Sequence, residues 1–314
     1  MEAITQRTAR LKNPESRNDG SKIALVIEGG AMRGVESGGG AVALARMGMT
    51  ETFDEVFATS AGAMNAAYFL SGQADMGISI YYEDLADRAF INPWRFWKIV
   101  NVDYVFDHVV IKSKPLDLEK LRGSPTRFFA AVIDRDLCRA MLVDVNHGSE
   151  AILTSLKAAT AVPVLYDRCV LVDGKRCMDG GLLNPFPIQD AIRQGCTDIL
   201  VLLTRPADYV CAPINPIVGR LLDLVCSGGN QKLWTLFQRN CAADRAARNL
   251  AFGKSDVPAG VNIATICPNP SDQVDRTATD PHALWKAAFV YGERTLRLFG
   301  RSDIPLNIAP PRGV

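Results

Sequence analysis

The stretch Val56-Phe57-Ala58-Thr59-Ser60-Ala61-Gly62-Ala63-Met64-Asn65-Ala66-Ala67 decides how this chain folds. An apolar run leads into a serine flanked by tiny residues, and a helix-favouring segment follows at once. Strand, sharp turn and helix in that order present a serine hydroxyl at the top of a sheet. The small neighbours matter because a tight elbow has no room for side chains beside the serine. The helix that follows aims its positive N-terminal dipole at whatever reacts there. The segment therefore predicts acyl-transfer chemistry at Ser60. Standing alone it would read equally well as a serine capping a helix.

Working outward, the same strand-turn-helix rhythm recurs. Lys22 to Glu28 reads as a buried strand running into glycines, and Ala41 to Met47, with Gly38-Gly39-Gly40, lies in or beside the next helix. Val56 to Thr59 is a short strand, and Ala61 to Ser71 a helix stopped by Gly72. Arg127 to Ile133 and Ala140 to Val145 read as strands on either side of a turn, and Glu150 to Ala159 as a helix. Cys169 to Val172 and the residues before Asp179 form a hairpin through Asp173-Gly174. Pro187 to Arg193 is helical, closed by Gly195, and Asp198 to Thr204 is another buried strand. Ile217 to Cys226, Leu233 to Leu250 and Ala283 to Phe299 read as helices, and Val261 to Cys267 as a late strand.

This alternation predicts an α/β fold, three layers of α/β/α around a mostly parallel central sheet. The expected organisation is a flexible N-terminal tail over 1–21, a catalytic core over 22–205, and a C-terminal helical extension over 206–314 whose late strand completes the same domain.

Composition sets further bounds. Hydrophobic residues make up 48% of the 314 and charged residues 22%, the balance of a globular chain with a sizeable core. A net charge of +1 gives no electrostatic case for binding nucleic acid. No apolar run reaches the roughly 20 residues of a membrane span, and the polar N-terminus lacks the apolar centre of a secretory signal. A cytoplasmic location follows as the expectation, with peripheral contact to a membrane left open. The eight cysteines include no C-x-x-C pair, so reduced thiols are expected. Three scattered histidines do not make a metal cluster, and neither a metal nor a cofactor is expected.

Two further motifs carry chemistry. Glu28-Gly29-Gly30-Ala31-Met32-Arg33-Gly34 follows the first strand directly. Consecutive small residues at a strand-to-helix turn leave backbone N–H groups pointing outward, where they bind a phosphate or a developing oxyanion. The spacing is neither G-x-G-x-x-G nor G-x-x-x-x-G-K-[ST], so a nucleotide reading is weak. Met178-Asp179-Gly180-Gly181-Leu182-Leu183-Asn184-Pro185 sets an aspartate before two glycines, with its carboxylate unobstructed. Alone it would be an Asx turn.

Taken together, in this order, the three motifs resemble the patatin-like phospholipases. Leu156-Lys157-Ala158-Ala159-Thr160-Ala161-Val162-Pro163 looks like the family's helix-to-proline segment, and Asn184-Pro185 like the pair that often follows its aspartate. The resemblance covers roughly Lys22 to Thr204. It implies a serine acyl hydrolase working on a lipid or other ester with a Ser-Asp dyad and no histidine. Ser60 would be the nucleophile and Asp179 its base. Gly29, Gly30 and Ala31 would supply oxyanion-hole N–H groups, with Arg33 and Gly34 completing that turn. Ala58, Gly62, Gly180, Gly181 and Asn184 would support the elbow and the aspartate. Ala58 stands where the family's first elbow glycine would be and Ala31 where its third oxyanion glycine would be. If Ala31 needs a positive φ, its Cβ is strained.

Two other readings remain open. A Ser60, Asp179, His282 triad has the chain order of an ordinary α/β-hydrolase. A binding or regulatory protein that keeps the fold and loses rate through Ala31 or Ala58 is the other. Ile80 to Val110 is expected to be irregular and aromatic-rich, and within it Leu85 to Phe106 carries Phe90, Pro93, Trp94, Phe96, Trp97, Tyr104 and Phe106 interleaved with Arg88, Arg95 and Lys98. It reads either as a lid or acyl channel or as aromatics packed on the core. Substrate identity and oligomeric state are not legible.

Overall fold

The structure is a computed structural model, and it describes residues 1–10, 20–86, 90, 100–163, 166, 168–227 and 232–311. Its centre is β1 (Ile23–Ile27), five residues buried on both faces. It pairs in parallel with β2 (Glu55–Thr59) on one side and β7 (Asp198–Leu202) on the other. Beyond these, β3 (Arg127–Asp134) lies parallel to β2, and β8 (Asn262–Ile266) parallel to β7. β4 (Arg139–Asp144) returns antiparallel along β3. A hairpin of β5 (Val170–Val172) and β6 (Lys175–Asp179) joins β3 through β6. Its turn residues Asp173 and Gly174 both take positive φ, 48° and 73°, which suits the right-handed strand twist.

The apolar residues of the central strands split by alternation into two cores, as a sheet covered on both faces requires. Ile23, Leu25 and Ile27 face α2 (Gly34–Arg46), α3 (Ala61–Leu70), α4 (Ala74–Glu83), α7 (Ile152–Thr160) and α11 (Pro281–Leu298). Ala24 and Val26 face α8 (Ile188–Arg193) and α10 (Lys232–Ala251), and α9 (Pro216–Ser227) packs against α10. The result is a mixed α/β fold of three layers with a mostly parallel sheet. The late strand β8 extends that sheet, and α11 presses so closely on α2 that a Cβ on Gly39 would lie 2.1 Å from the Ala288 carbonyl oxygen.

Three expectations need correction. The N-terminus, expected as a tail, contains α1 (Glu2–Arg10). Ile4 and Arg7 are buried there, and Arg7 pairs with Asp54 at the start of the core. The polar composition hid a helix whose one buried cation has a specific carboxylate waiting for it. The stretch expected to be irregular begins within α4 and resumes as α5 (Val102–Tyr104), continuing as a π-helix over Val105–Ser113; α6 (Leu118–Gly123) follows. The thiols are not all reduced: Cys211 and Cys241 form a disulfide, brought to a Cα separation of 5.3 Å by the packing of α10. Arg88, Pro93, Trp94, Arg95, Phe96, Trp97 and Lys98 lie outside the described residues. Among the described residues no helix is long and apolar enough to cross a membrane.

Candidate active site

Open α/β sheets present ligand sites at the carboxyl ends of their strands, and the site assembles there. Ser60 follows β2 and precedes α3 with φ 56° and ψ −131°. A non-glycine residue in that region is strained by on the order of 1–3 kcal/mol. Ser60 occupies the capping position of α3, yet its side chain makes no capping hydrogen bond. The hydroxyl is thus left for other work.

The glycine-rich turn after β1 packs directly against this elbow. A Cβ on Gly29 would stand 2.4 Å from the Thr59 carbonyl oxygen and 2.6 Å from Ser60 Cβ. Reciprocally, a Cβ on Gly62 would stand 2.6 Å from the Ile27 carbonyl oxygen. Neither position has room for a side chain, so both motifs need glycine for one shared reason. Gly34, the first residue of α2, meets Ala61 in the same way, its Cβ position 2.7 Å from that of Ala61. Ala58 is fully buried in β2.

Within the turn, Ala31 has φ 52°, so the strain anticipated for a Cβ there is present, roughly 1–2 kcal/mol. The N–H of Met32 bonds to the Arg276 carbonyl and that of Arg33 to the Gly30 carbonyl, both at 3.2 Å. Those of Gly29, Gly30 and Ala31 have no acceptor among the described residues. Unpaired donors at the end of a buried strand are ready for an anion. Thr204, just past β7, anchors the turn by donating its hydroxyl to the Gly29 carbonyl at 2.6 Å and its N–H to Glu28 Oε2 at 2.7 Å.

Asp179 ends β6 and is 3% exposed. Its Oδ1 accepts the Gly181 N–H at 2.7 Å, while Oδ2 is buried without a hydrogen-bond partner. Burial pushes its pKa up to about 6, offset in part by the Ser60 hydroxyl and the Gly181 N–H. The hydroxyl is close enough to act on the carboxyl without a formed Ser60–Asp179 hydrogen bond in this conformation. Gly180 lies against β3, where a Cβ would sit 2.6 Å from the Ala131 carbonyl. Asn184 closes the loop: its carbonyl accepts the Thr59 hydroxyl at 2.9 Å, and its amide donates to Asp190 at 2.7 Å.

Ser60, Asp179, Gly29, Gly30, Ala31, Arg33 and Gly181 line one cavity of about 260 Å³. Its walls are otherwise largely apolar, with Met64, Tyr68, Ile80, Leu85, Phe90, Val102, Val105 and Phe106. The described part of the aromatic stretch therefore both packs on the core and borders the cavity. A hydroxyl, a buried carboxylate, free N–H donors and an apolar chamber can together bind an acyl group and transfer it. None of the three histidines lines the cavity; His282 is exposed at the start of α11, where its N–H bonds to the capping Asp280 at 2.9 Å. Among the described residues no group of His, Cys, Asp or Glu is placed to hold a metal ion.

Three lining residues were not singled out in the sequence. Arg205 follows β7, and that position past a buried strand was a usable signal. Its Nη1 bonds Glu28 and Asp244 at 3.3 and 3.1 Å. Asn240 of α10 donates to the Leu182 carbonyl at 3.1 Å and so holds the turn after Asp179. Arg276 reaches the cavity from the loop before α11. Neither of the last two has a local signature.

A family model described as patatin-like phospholipase matches residues 25–192, just over half of the chain. The uncharacterized protein YjjU of Escherichia coli strain K12 is 27% identical over 201 residues, 61% of this chain and 54% of that protein. The chain thus spans about half the length of the curated relative it matches. A crystal structure of VipD from Legionella pneumophila aligns over 88% of this chain and 67% of its own, with 11% identity and a TM-score of 0.47.

Proposed function

Since the chain belongs to the patatin-like phospholipase family, we propose that it is a lipid acyl hydrolase whose Ser60 and Asp179 act as a nucleophile–base dyad. The observation that carries this reading is a buried carboxylate with one oxygen unpartnered, in the same cavity as a strained serine whose hydroxyl caps nothing. Ser60 Oγ attacks the ester carbonyl carbon while Asp179 takes its proton. The carbonyl oxygen becomes an oxyanion, held by the N–H groups of Gly29, Gly30 and Ala31; each such donor contributes on the order of 3 kcal/mol to the transition state. The intermediate expels the alcohol, which leaves with the proton from Asp179. Water then attacks the acyl-Ser60 ester, giving its proton to Asp179, and the free acid departs with Ser60 restored.

A carboxylate at its ordinary pKa is a weak base. Raising Asp179 to about 6 strengthens it while leaving it ionised at neutral pH. The apolar walls suit an acyl chain, and Arg33 and Gly34 fix the oxyanion turn. The proposal includes a cytoplasmic location with peripheral contact to a membrane, where such esters reside.

Hydrolysis of p-nitrophenyl esters of increasing chain length, wild type beside Ser60→Ala, tests this reading. Turnover lost in the variant, with a chain-length optimum, is the expected result. Absence of turnover in the wild type, together with no labelling of Ser60 by a fluorophosphonate, would overturn it.

A further inference from the structure

A second cavity, of about 160 Å³, lies between the loop after β7 and the C-terminal half of α10, and it shares no lining residue with the catalytic one. Both halves of the Cys211–Cys241 disulfide line it. Cys211 belongs to the loop and Cys241 to α10, and each is only partly buried. A solute entering this cavity therefore meets the bridge. The remaining described cysteines, Cys138, Cys169, Cys177, Cys196 and Cys267, line neither cavity.

The charge around the bridge is positive. Arg245, Arg248 and Lys254 line the cavity, against one acid among the described residues, Asp244. Asp244 is buried and already holds Arg205 and Arg248, at 3.1 and 3.2 Å. Arg248 is committed as well, its Nη1 donating to the Pro206 carbonyl at 3.1 Å. Arg245 and Lys254 are exposed and have no ion pair among the described residues. Arg245 stands four residues after Cys241 in α10, so the two side chains share a helix face. A cation beside a thiolate stabilises it, and the better-stabilised thiolate is the faster leaving group. The two sulfurs are thus unequal: attack on Cys211, expelling Cys241, is the favoured direction. Disulfides in the cytoplasm are mostly ones that exchange, which suits the location proposed above.

We propose that this cavity is a thiol–disulfide exchange site for a small anionic thiol, one that carries a carboxylate or a sulfonate. The anionic tail rests at Arg245 and Lys254. The thiolate sulfur attacks Cys211 Sγ and forms a mixed disulfide there. The Cys211–Cys241 bond breaks, and its electron pair leaves with Cys241 Sγ as a thiolate. A second thiolate of the same kind then attacks the sulfur of the bound thiol, which releases the symmetric disulfide and frees Cys211. The two added thiols are oxidised and the two cysteines reduced, so the electrons balance. Cys241 directly follows Asn240, which lines the catalytic cavity, so the exchange removes a covalent tie between that helix and the loop after β7. The inference does not depend on the chemistry assigned to Ser60.

The experiment treats the oxidised protein, without air, with mercaptoethanesulfonate, mercaptoethanol or cysteamine at matched thiolate concentration. Samples are quenched with iodoacetamide, and the peptides carrying Cys211 and Cys241 are weighed. The sulfonate is expected to open the bridge about tenfold faster than the neutral thiol, each exposed cation contributing roughly threefold, with the cationic thiol slowest. That preference falls as sodium chloride is added. Arg245→Gln and Lys254→Gln, both at exposed positions where loss of fold is not a concern, each lower the sulfonate-to-neutral ratio by about threefold, and Arg245→Lys restores most of it. Early samples carry the thiol on Cys211 and the alkyl group on Cys241. Equal rates with the three thiols overturn the proposal, as does a sulfonate preference untouched by both glutamine variants. The thiol on Cys241 with Cys211 alkylated overturns the assigned direction of attack. Full alkylation of both cysteines in protein purified in air would show that no bridge forms, and overturns it outright. None of these readouts involves ester turnover, so failure here leaves the hydrolase reading intact.

Discussion

Thr59 and Asp179 lie end to end on one edge of β3, registered against its consecutive residues Ala131 and Val132. β4 occupies the other edge over Phe129 to Asp134, so parallel β2 and antiparallel β6 must share this one, each stopping where the other begins. Ser60 is the next residue after Thr59. The serine and the carboxylate are therefore brought together by backbone pairing on a common strand, and their separation is fixed by sheet register.

Asp179→Asn keeps the shape and removes the base. Turnover is expected to fall by about a thousandfold, within the range of general-base contributions, while the protein stays folded. Its stability is expected to move the other way. Folding raises this carboxyl from 3.8 to about 6, so the folded state favours the protonated form. The penalty is absent below about 4, grows between there and 6, and is fully present at pH 7, where it is on the order of 3 kcal/mol. The variant should thus melt above wild type at pH 7 and match it near pH 4. A variant that keeps substantial activity would remove Asp179 from the dyad.

Activity should follow the same ionisation. As pH falls through about 6 the base is protonated, and kcat/KM should drop tenfold for each further unit. A profile on a neutral ester between pH 4 and 9 checks this; a flat acid limb down to pH 4.5 would contradict it.

Ala31 sits at φ 52°, a region that glycine enters without penalty. Ala31→Gly is expected to stabilise the fold by about 1 kcal/mol with activity kept or raised, since the N–H donor is unchanged. Denaturant melts beside initial rates measure both. Loss of stability on this change would mean the strain is relieved some other way.

Gly29→Ala is the opposite case. Its Cβ would lie 2.4 Å from a backbone oxygen and 2.6 Å from Ser60 Cβ, so the turn or the elbow must shift. An ångström of misplacement at a reacting group costs about a hundredfold. We expect at least that loss of kcat, with weakened fluorophosphonate labelling of Ser60.

Much of this architecture was legible in the chain because it is local. Runs such as Ile-Ala-Leu-Val-Ile bury both faces of a strand, and glycine or alanine after a strand marks a turn with no room for side chains. Helix stops at Gly72 and Gly195 show as positive φ. Those short-range rules sufficed to read the turn after β1, the Ser60 elbow, the Asp173-Gly174 hairpin and the three-layer α/β plan. They failed at α1, where Ile4 is buried in the main core and Arg7 pairs with Asp54, both partners far along the chain.

What only the tertiary structure decided is how separate pieces meet. The sequence set an unobstructed aspartate after a strand, but its place beside Ser60 follows from β6 pairing antiparallel at the point where β2 ends. The cavity wall draws Arg33 from the turn after β1, Arg205 from the end of β7 and Arg276 from the loop before α11. The Cys211–Cys241 disulfide likewise needs α10 packed in place. Sterics and backbone hydrogen bonding act between neighbours and write themselves into local sequence. Long-range register and the convergence of distant side chains are set by burying both faces of one sheet at once, and no short window of sequence carries that information.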